Sequence, residues 1–352
     1  MSARKILVTG ATGFVGGSVL AQLLSSTHSS IRELNITAIV RRQEQADILA
    51  KNGINAELFN GLDDTEQLRR IASKYDIVLH CATGRHTFAA EALVLGLGDG
   101  MKKNGQQAYY IHTTGTSNLA YSIVSNPNAA LRDFSDADDD IYEEELRRDA
   151  EQLYLQRRTD LVVLETAEKT GVKPYLMMPP TIYGRGLGLF KTQSIQIPFT
   201  IRHTINAGYP EYIGDGSGTV GYVHIADLAV LYELLLSKIL EGADIPYGRK
   251  GYYFSNTSAF TWKDLNEKLG VIGYRSGALK SPTPVSITLE EAAERWGFIE
   301  GNQLLLETNH AGRSKTTPKR AYELGWVPEK TAADWDTELE ETWKAVAAEQ
   351  LK

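Results

Sequence analysis

The chain has 352 residues, 42% of them hydrophobic, and a formal net charge of −7, enough for one large globular domain or two modest ones. Its interspersed charges lack the basic face that nucleic acid requires, and no run approaches the length of a membrane span. Cys81 is the single cysteine, so intramolecular disulfides and a cysteine-built metal cluster are excluded and no metal site is expected. No apolar leader precedes the first strand, which predicts a cytoplasmic protein.

The first strand, Lys5 to Thr9, ends in Gly10-Ala11-Thr12-Gly13-Phe14-Val15-Gly16. A helix follows at once, to about Ser25, with Val15, Leu20, Leu23 and Leu24 spaced for one buried face. A strand, a glycine turn and a helix start leave backbone N–H groups unpaired with the helix dipole behind them, the geometry that holds a diphosphate. Gly10 permits the turn, Gly13 lets the backbone approach the phosphates, and Gly16 lets the helix pack on the strand. The second strand, Asn35 to Val40, ends in Arg41 and Arg42. No acid stands there to take the ribose hydroxyls of NAD, whereas two guanidinium forks suit a 2′-phosphate. The expected cofactor is NADP(H), with NAD(H) as second choice.

A third strand, Ala56 to Asn60, runs into Gly61-Leu62-Asp63-Asp64, where Asp64 and Thr65 cap the next helix. The fourth, Ile77 to Ala82, is apolar and buried. Its His80 has no companion at a metal-ligand spacing and reads as a structural histidine. A helix from about Thr87 to Lys103 and a strand from Ala108 to His112 lead to Thr113-Thr114-Gly115-Thr116-Ser117, a hydroxyl cluster that serves either catalysis or local capping. Residues 132 to 145 carry five Asp and three Glu and read as a solvated loop, not a cation site. There follow a long helix over roughly 143 to 170, a sixth strand Val172 to Met178, and a Gly-rich loop at 185 to 196 expected to border the substrate. A strand-to-helix junction at His224 and Asp227 and a terminal helix, about 331 to 350, complete the order.

The Gly-x-x-Gly-x-x-Gly turn, His80-x-Ala82-Thr83, Pro180-Thr181-Ile182-Tyr183-Gly184, Val223-His224-Ile225-Ala226-Asp227 and Leu324-Gly325-Trp326-Val327-Pro328 resemble the extended short-chain dehydrogenase/reductase superfamily, of the NAD-dependent epimerase/dehydratase-like type. The resemblance spans nearly the whole chain. It implies that Thr12, Phe14 and Val15 join the glycines around the cofactor and that the Leu62 backbone touches adenine. It further implies that Cys81, Ala82 and Thr83 wall a ribose, that Pro180 and Ile182 line the nicotinamide amide, and that Thr114 polarises the substrate carbonyl. Pro179 replaces the Arg that would favour a nucleotide sugar. The family's Tyr-x-x-x-Lys base is missing between Thr116 and Pro179. Counting back from Gly171, its two positions fall on Gln152 and Gln156. The nearest substitute is Tyr154 with Arg158, offset by two residues, which turns a side chain by about 200° on a helix. The alternative is that Tyr154 packs inside and Arg158 pairs with the acidic segment.

These readings predict a doubly wound parallel α/β sheet of Rossmann type with a smaller α/β lobe. Residues 1–185, with about 220–242, would form the dinucleotide-binding unit, and 186–219 with 243–352 the substrate lobe. The expected function is NADP(H)-dependent reduction of a carbonyl on a small or medium organic molecule, by a monomer or homodimer. The alternatives are a nucleotide-sugar epimerase or dehydratase and a non-catalytic NADP-binding sensor.

Overall fold

A computed structural model describes residues 4–297 and 302–350. Its centre is a seven-stranded parallel sheet: β1 (Lys5–Thr9), β2 (Asn35–Val40), β3 (Asn55–Leu58), β4 (Ile77–His80), β5 (Tyr109–Thr113), β6 (Lys173–Met178) and β7 (Tyr252–Phe254), in the order β7-β6-β5-β4-β1-β2-β3. β1 lies between β2 and β4, parallel to both, and Ile6, Leu7 and Val8 are fully buried. A strand buried on both faces reads as an unbroken aliphatic run, as this one does. The order reverses between β1 and β4, so the crevice that receives ligands in such sheets opens at their carboxyl ends.

Helices cover both faces. On one, α1 (Phe14–Leu24) packs against Ile225–Leu240. On the other, α2 (Thr65–Ala72), α3 (Thr87–Asn104) and the later Leu155–Thr170 pack in a row. Asp64 caps α2 by accepting the Gln67 N–H at 3.0 Å, as its position before the helix suggests. The doubly wound α/β architecture expected from the sequence is therefore present. The main sheet takes its last strand, β7, from beyond residue 243, outside the segments expected to build it.

The remaining segments form a lobe over the carboxyl edge. A three-stranded sheet of Thr181–Tyr183, Thr219–His224 and Ser258–Thr261 packs Tyr222 and Phe260 on Trp335 at 4.3 and 5.5 Å between ring centroids. Asp227 pins the two parts together. Its carboxylate accepts the N–H groups of Glu329 and Lys330, and its carbonyl accepts the Trp326 indole. His224 caps the same helix through the Ala226 N–H, so this pair forms a strand-to-helix junction.

Two expectations are corrected. The helix over 143 to 170 is two helices, α4 (Ile141–Glu151) and α5 (Leu155–Thr170), with Gln152 and Tyr154 in extended conformation between them. A buried cation spans this break: Arg157 donates to the Arg148 and Gln152 carbonyls at 3.1 and 2.6 Å. The acidic segment is not simply a solvated loop. Asp136 and Glu145 are buried, and Asp136 accepts the N–H groups of Phe254 and Arg320. The Gly-rich loop lies on α1. Leu187 N–H donates to the Ser18 hydroxyl at 3.0 Å, and a Cβ on Gly188 would stand 2.8 Å from the Gly17 Cα.

Candidate active site

Gly10 has φ +73°, and a Cβ there would stand 2.5 Å from the Cys81 carbonyl oxygen. The turn therefore requires glycine both for its conformation and for its approach to β4. Gly16 presses on Gly10 in turn, at 2.4 Å from an added Cβ to the Gly10 oxygen. Gly13 is the N-cap of α1 and offers no side chain to its first turn. The N–H groups of that turn, with the helix dipole, are a ready anion site. Phe14 is buried beneath Gly186, while Thr12 and Val15 are half-buried at the surface of the turn. This cradle fits a dinucleotide diphosphate on geometry alone.

The flanking residues lie along the same crevice. Arg41 and Arg42 are both exposed at the end of β2, and Arg42 also meets Glu44 at 2.9 Å. Leu62 is half-buried after β3. Beyond it, Asp63 accepts from His86 Nε2 at 3.0 Å, while His86 Nδ1 accepts the Ala89 N–H. The loops after β3 and β4 are thus tied together. Cys81 receives a hydrogen bond from Thr113, Ala82 is exposed, and the Thr83 carbonyl accepts from His80 Nε2 at 3.1 Å. His80 Nδ1 accepts from Thr9 at 2.8 Å. Both ring nitrogens are satisfied and burial pulls the pKa down to about 3, so His80 is a neutral structural histidine. Pro180 is buried and Ile182 half-buried beside the small sheet. Among the described residues no group of His, Cys, Asp or Glu is placed to hold a metal ion.

The catalytic corner departs from the expected arrangement. Thr114 Oγ1 donates to Asp160 at 2.6 Å, inside a buried network and not toward Tyr154. The Asn118 amide spans Thr114, Glu145 and Asp160 at 3.2, 2.7 and 2.8 Å, and Tyr252 donates to Glu145 at 2.7 Å. His112 Nε2 stands 3.3 Å from Asp160. Burial pushes Asp160 up to about 8 and holds His112 near 3. Burial and the neighbouring Asp160 together push Glu145 well above the carboxylate range. Two carboxyls sharing one amide in a dry interior keep at least one proton at neutral pH.

Tyr154 sits at the N-cap of α5, 6% exposed. Its hydroxyl donates to Ser117 Oγ at 3.1 Å and receives Arg85 Nη2 at 3.4 Å. The Arg85 and Arg157 guanidinium groups lie 5.9 and 5.7 Å from its ring centroid. Arg158 points elsewhere, to Asp149 at 2.5 Å, and is half-exposed. Successive residues on a helix diverge by about 100°, so when Arg157 turns inward Arg158 turns out. Gln156, one of the two positions reached by counting back from Gly171, donates to the Gly115 carbonyl at 3.3 Å and to Ser117 at 3.4 Å. The structure thus joins Tyr154 to Ser117, Arg85 and Arg157, none of which the sequence singled out as its partners. Ser117 lay within the noted hydroxyl run; Arg85 carried only the weak signal of a lone cation just past a strand end.

Comparison with known proteins fits this geometry. A family model described as NAD(P)H-binding matches residues 10–148. "Oxidase ucsJ" of Acremonium sp is 26% identical over 348 residues, covering 92% of this chain and 93% of that one. A dTDP-4-dehydro-6-deoxy-D-allose reductase of Streptomyces sp is 25% identical over 235 residues, covering 64% of this chain and 70% of that one. The crystal structure of a dTDP-glucose 4,6-dehydratase from Streptomyces venezuelae with NAD bound superposes with a TM-score of 0.63 at 15% identity, covering 96% of this chain and 95% of that one. No helix among the described residues is long and apolar enough to cross a membrane. Residues 10–148 thus match an NAD(P)H-binding family model, and the chain shares the fold of such epimerases and dehydratases.

Proposed function

We propose that the chain is an NADP(H)-dependent reductase acting on a carbonyl of a small or medium organic molecule. The observation that carries this reading is Tyr154, whose hydroxyl meets a second hydroxyl, Ser117, at 3.1 Å, with two guanidinium groups 5.9 and 5.7 Å from its ring centroid. The cofactor supplies a hydride when bound. Gly10, Gly13, Gly16 and the first turn of α1 would hold its diphosphate, Arg41 and Arg42 its 2′-phosphate, and Cys81 to Thr83 with Pro180 and Ile182 would flank its far half. As the carbonyl carbon takes the hydride, its oxygen takes the Tyr154 proton. The Arg85 and Arg157 guanidinium groups, 5.9 and 5.7 Å from the ring centroid, stand near the phenolate left behind. Ser117 orients the phenol and offers the substrate oxygen a second hydroxyl. Thr114, held by Asp160 and Asn118, sets the end of β5 and acts as a positioning residue.

Two further readings go with this proposal. Residues 1–185, with 220–242 and the edge strand β7, form the cofactor-binding unit, and the rest a substrate lobe. The presence of Gln152 and Gln156 at the family's Tyr and Lys positions favours, as a second reading, an NADP-binding sensor without turnover. Replacing Tyr154 with Phe decides between them. A reductase loses about 10²–10⁴-fold in kcat on a carbonyl panel with NADPH affinity unchanged. An active enzyme indifferent to the substitution removes Tyr154 from the chemistry, and NADPH uptake without turnover in the parent protein establishes the sensor.

A further inference from the structure

We propose that the cleft beside Tyr154 takes a carbonyl substrate bearing an anionic group, a carboxylate or a phosphate, which its arginine wall holds. This rests on the reductase reading and adds the class of substrate. The cleft, about 520 Å³, runs from Ser117 and Tyr154 between α4 and the segment after β5. Four of its lining residues are arginines, 132, 147, 148 and 157, against two acids, Glu144 and Glu151. Counting Asp139, which pairs with Arg132 from outside the lining, one positive charge remains over.

The excess is located. Arg157 is 6% exposed, and its hydrogen bonds go to the backbone carbonyls of Asn118, Arg148 and Gln152. Of the two acids that act on it, burial and Asp160 hold Glu145 well above the carboxylate range, and Asp149 is already paired with Arg158, so neither returns a full counter-charge. Arg148 is 9% exposed, lies 4.5 Å over the Tyr121 ring, and shares its one carboxylate, Glu144, with Arg147. Its Nη2 is buried with no hydrogen-bond partner among the described residues. A buried guanidinium without a full counter-charge is costly, and an arriving anion relieves that cost through charge-assisted hydrogen bonds. Ala120, Tyr121 and Leu304 also line the cleft, an apolar wall that suits a short carbon chain joining carbonyl and anion.

The test compares short oxo carboxylates, their methyl esters and the matching oxoalkyl phosphates, at saturating NADPH. The expected result is kcat/KM about tenfold or more higher for the anions, carried by KM, the size of one charge-assisted contact. R147Q and R132Q, at the more exposed end of the wall, narrow that gap several-fold. Equal kcat/KM for acid and ester overturns the proposal. A preference for the phosphate over the carboxylate, or the reverse, identifies which anion the site is built for. Calorimetry with pentanoate and with inorganic phosphate judges the site apart from the chemistry. No uptake of either at millimolar concentration overturns it even if a neutral carbonyl is reduced. Uptake that R147Q weakens, with no carbonyl turned over, upholds the anion site while the reductase reading fails.

Discussion

The two halves of the crevice were built under different constraints. Around β1 and α1, backbone meets backbone: Gly10 against Cys81, Gly16 against Gly10, Gly17 against Gly188. Such contacts admit one residue type, so they are written plainly in the sequence. Around Tyr154, side chains meet side chains across a helix break, and many residue types satisfy the same space. The first region can be read one letter at a time. The second is legible only once the chain has folded.

The sharpest way to break that comparison is Gly10→Ala. Left-handed backbone costs an L-residue about 1–2 kcal/mol, and the new Cβ meets the Cys81 carbonyl besides. We expect NADPH titration to show a loss of affinity of at least ~100-fold, with a lowered Tm. Retained affinity would mean that the turn is not the cofactor's seat.

The second region is sharpened by Asp160→Asn. The folded chain holds the Asp160 proton up to about pH 8, whereas the unfolded chain releases it near 4. The native protein therefore loses stability as pH rises from about 4 to about 8, by at most ~1.4 kcal/mol per pH unit, and levels off above. The Asn variant lacks this slope, so thermal melts should show its advantage growing between pH 5 and pH 8. A parallel pair of pH profiles would show that the carboxyl is ionised in the fold.

Cofactor choice gives a smaller effect. Replacing Arg41 and Arg42 together by Ala should cut the preference for NADPH over NADH by roughly tenfold, the value of a charge-assisted phosphate contact, without touching kcat. An unchanged ratio would leave the pair as ordinary surface charge. Smallest is Arg158→Gln. Arg158 is half-exposed and turned away from Tyr154 toward Asp149, so activity should stay within twofold, in contrast to any change at Arg157.

The sheet, its helices and the glycine turn were legible because aliphatic runs, cap residues and glycine spacing each act locally. The break at 152–154 was not. Glu151-Gln152-Leu153-Tyr154-Leu155 contains no Gly or Pro, and the conformation is held by Arg157 reaching back to two carbonyls, a tertiary compensation with no local signature. That break makes Tyr154 an N-cap and hands its partnership from Arg158 to Arg157. The acids misread as solvent-facing show the same limit. Glu145 lies within an acid-rich run, yet Asn118 and Tyr252 bond it in the interior.

The strap at 185–190 carries one more implication. Ser18 donates to the Phe14 carbonyl at 2.7 Å and accepts Leu187 N–H at 3.0 Å, so the first turn of α1 and the entry to the substrate lobe share one hydroxyl. On the proposed function, a nucleotide settling on that turn would firm the strap before any substrate arrives. Steady-state kinetics should therefore follow a compulsory order, nucleotide on first and off last.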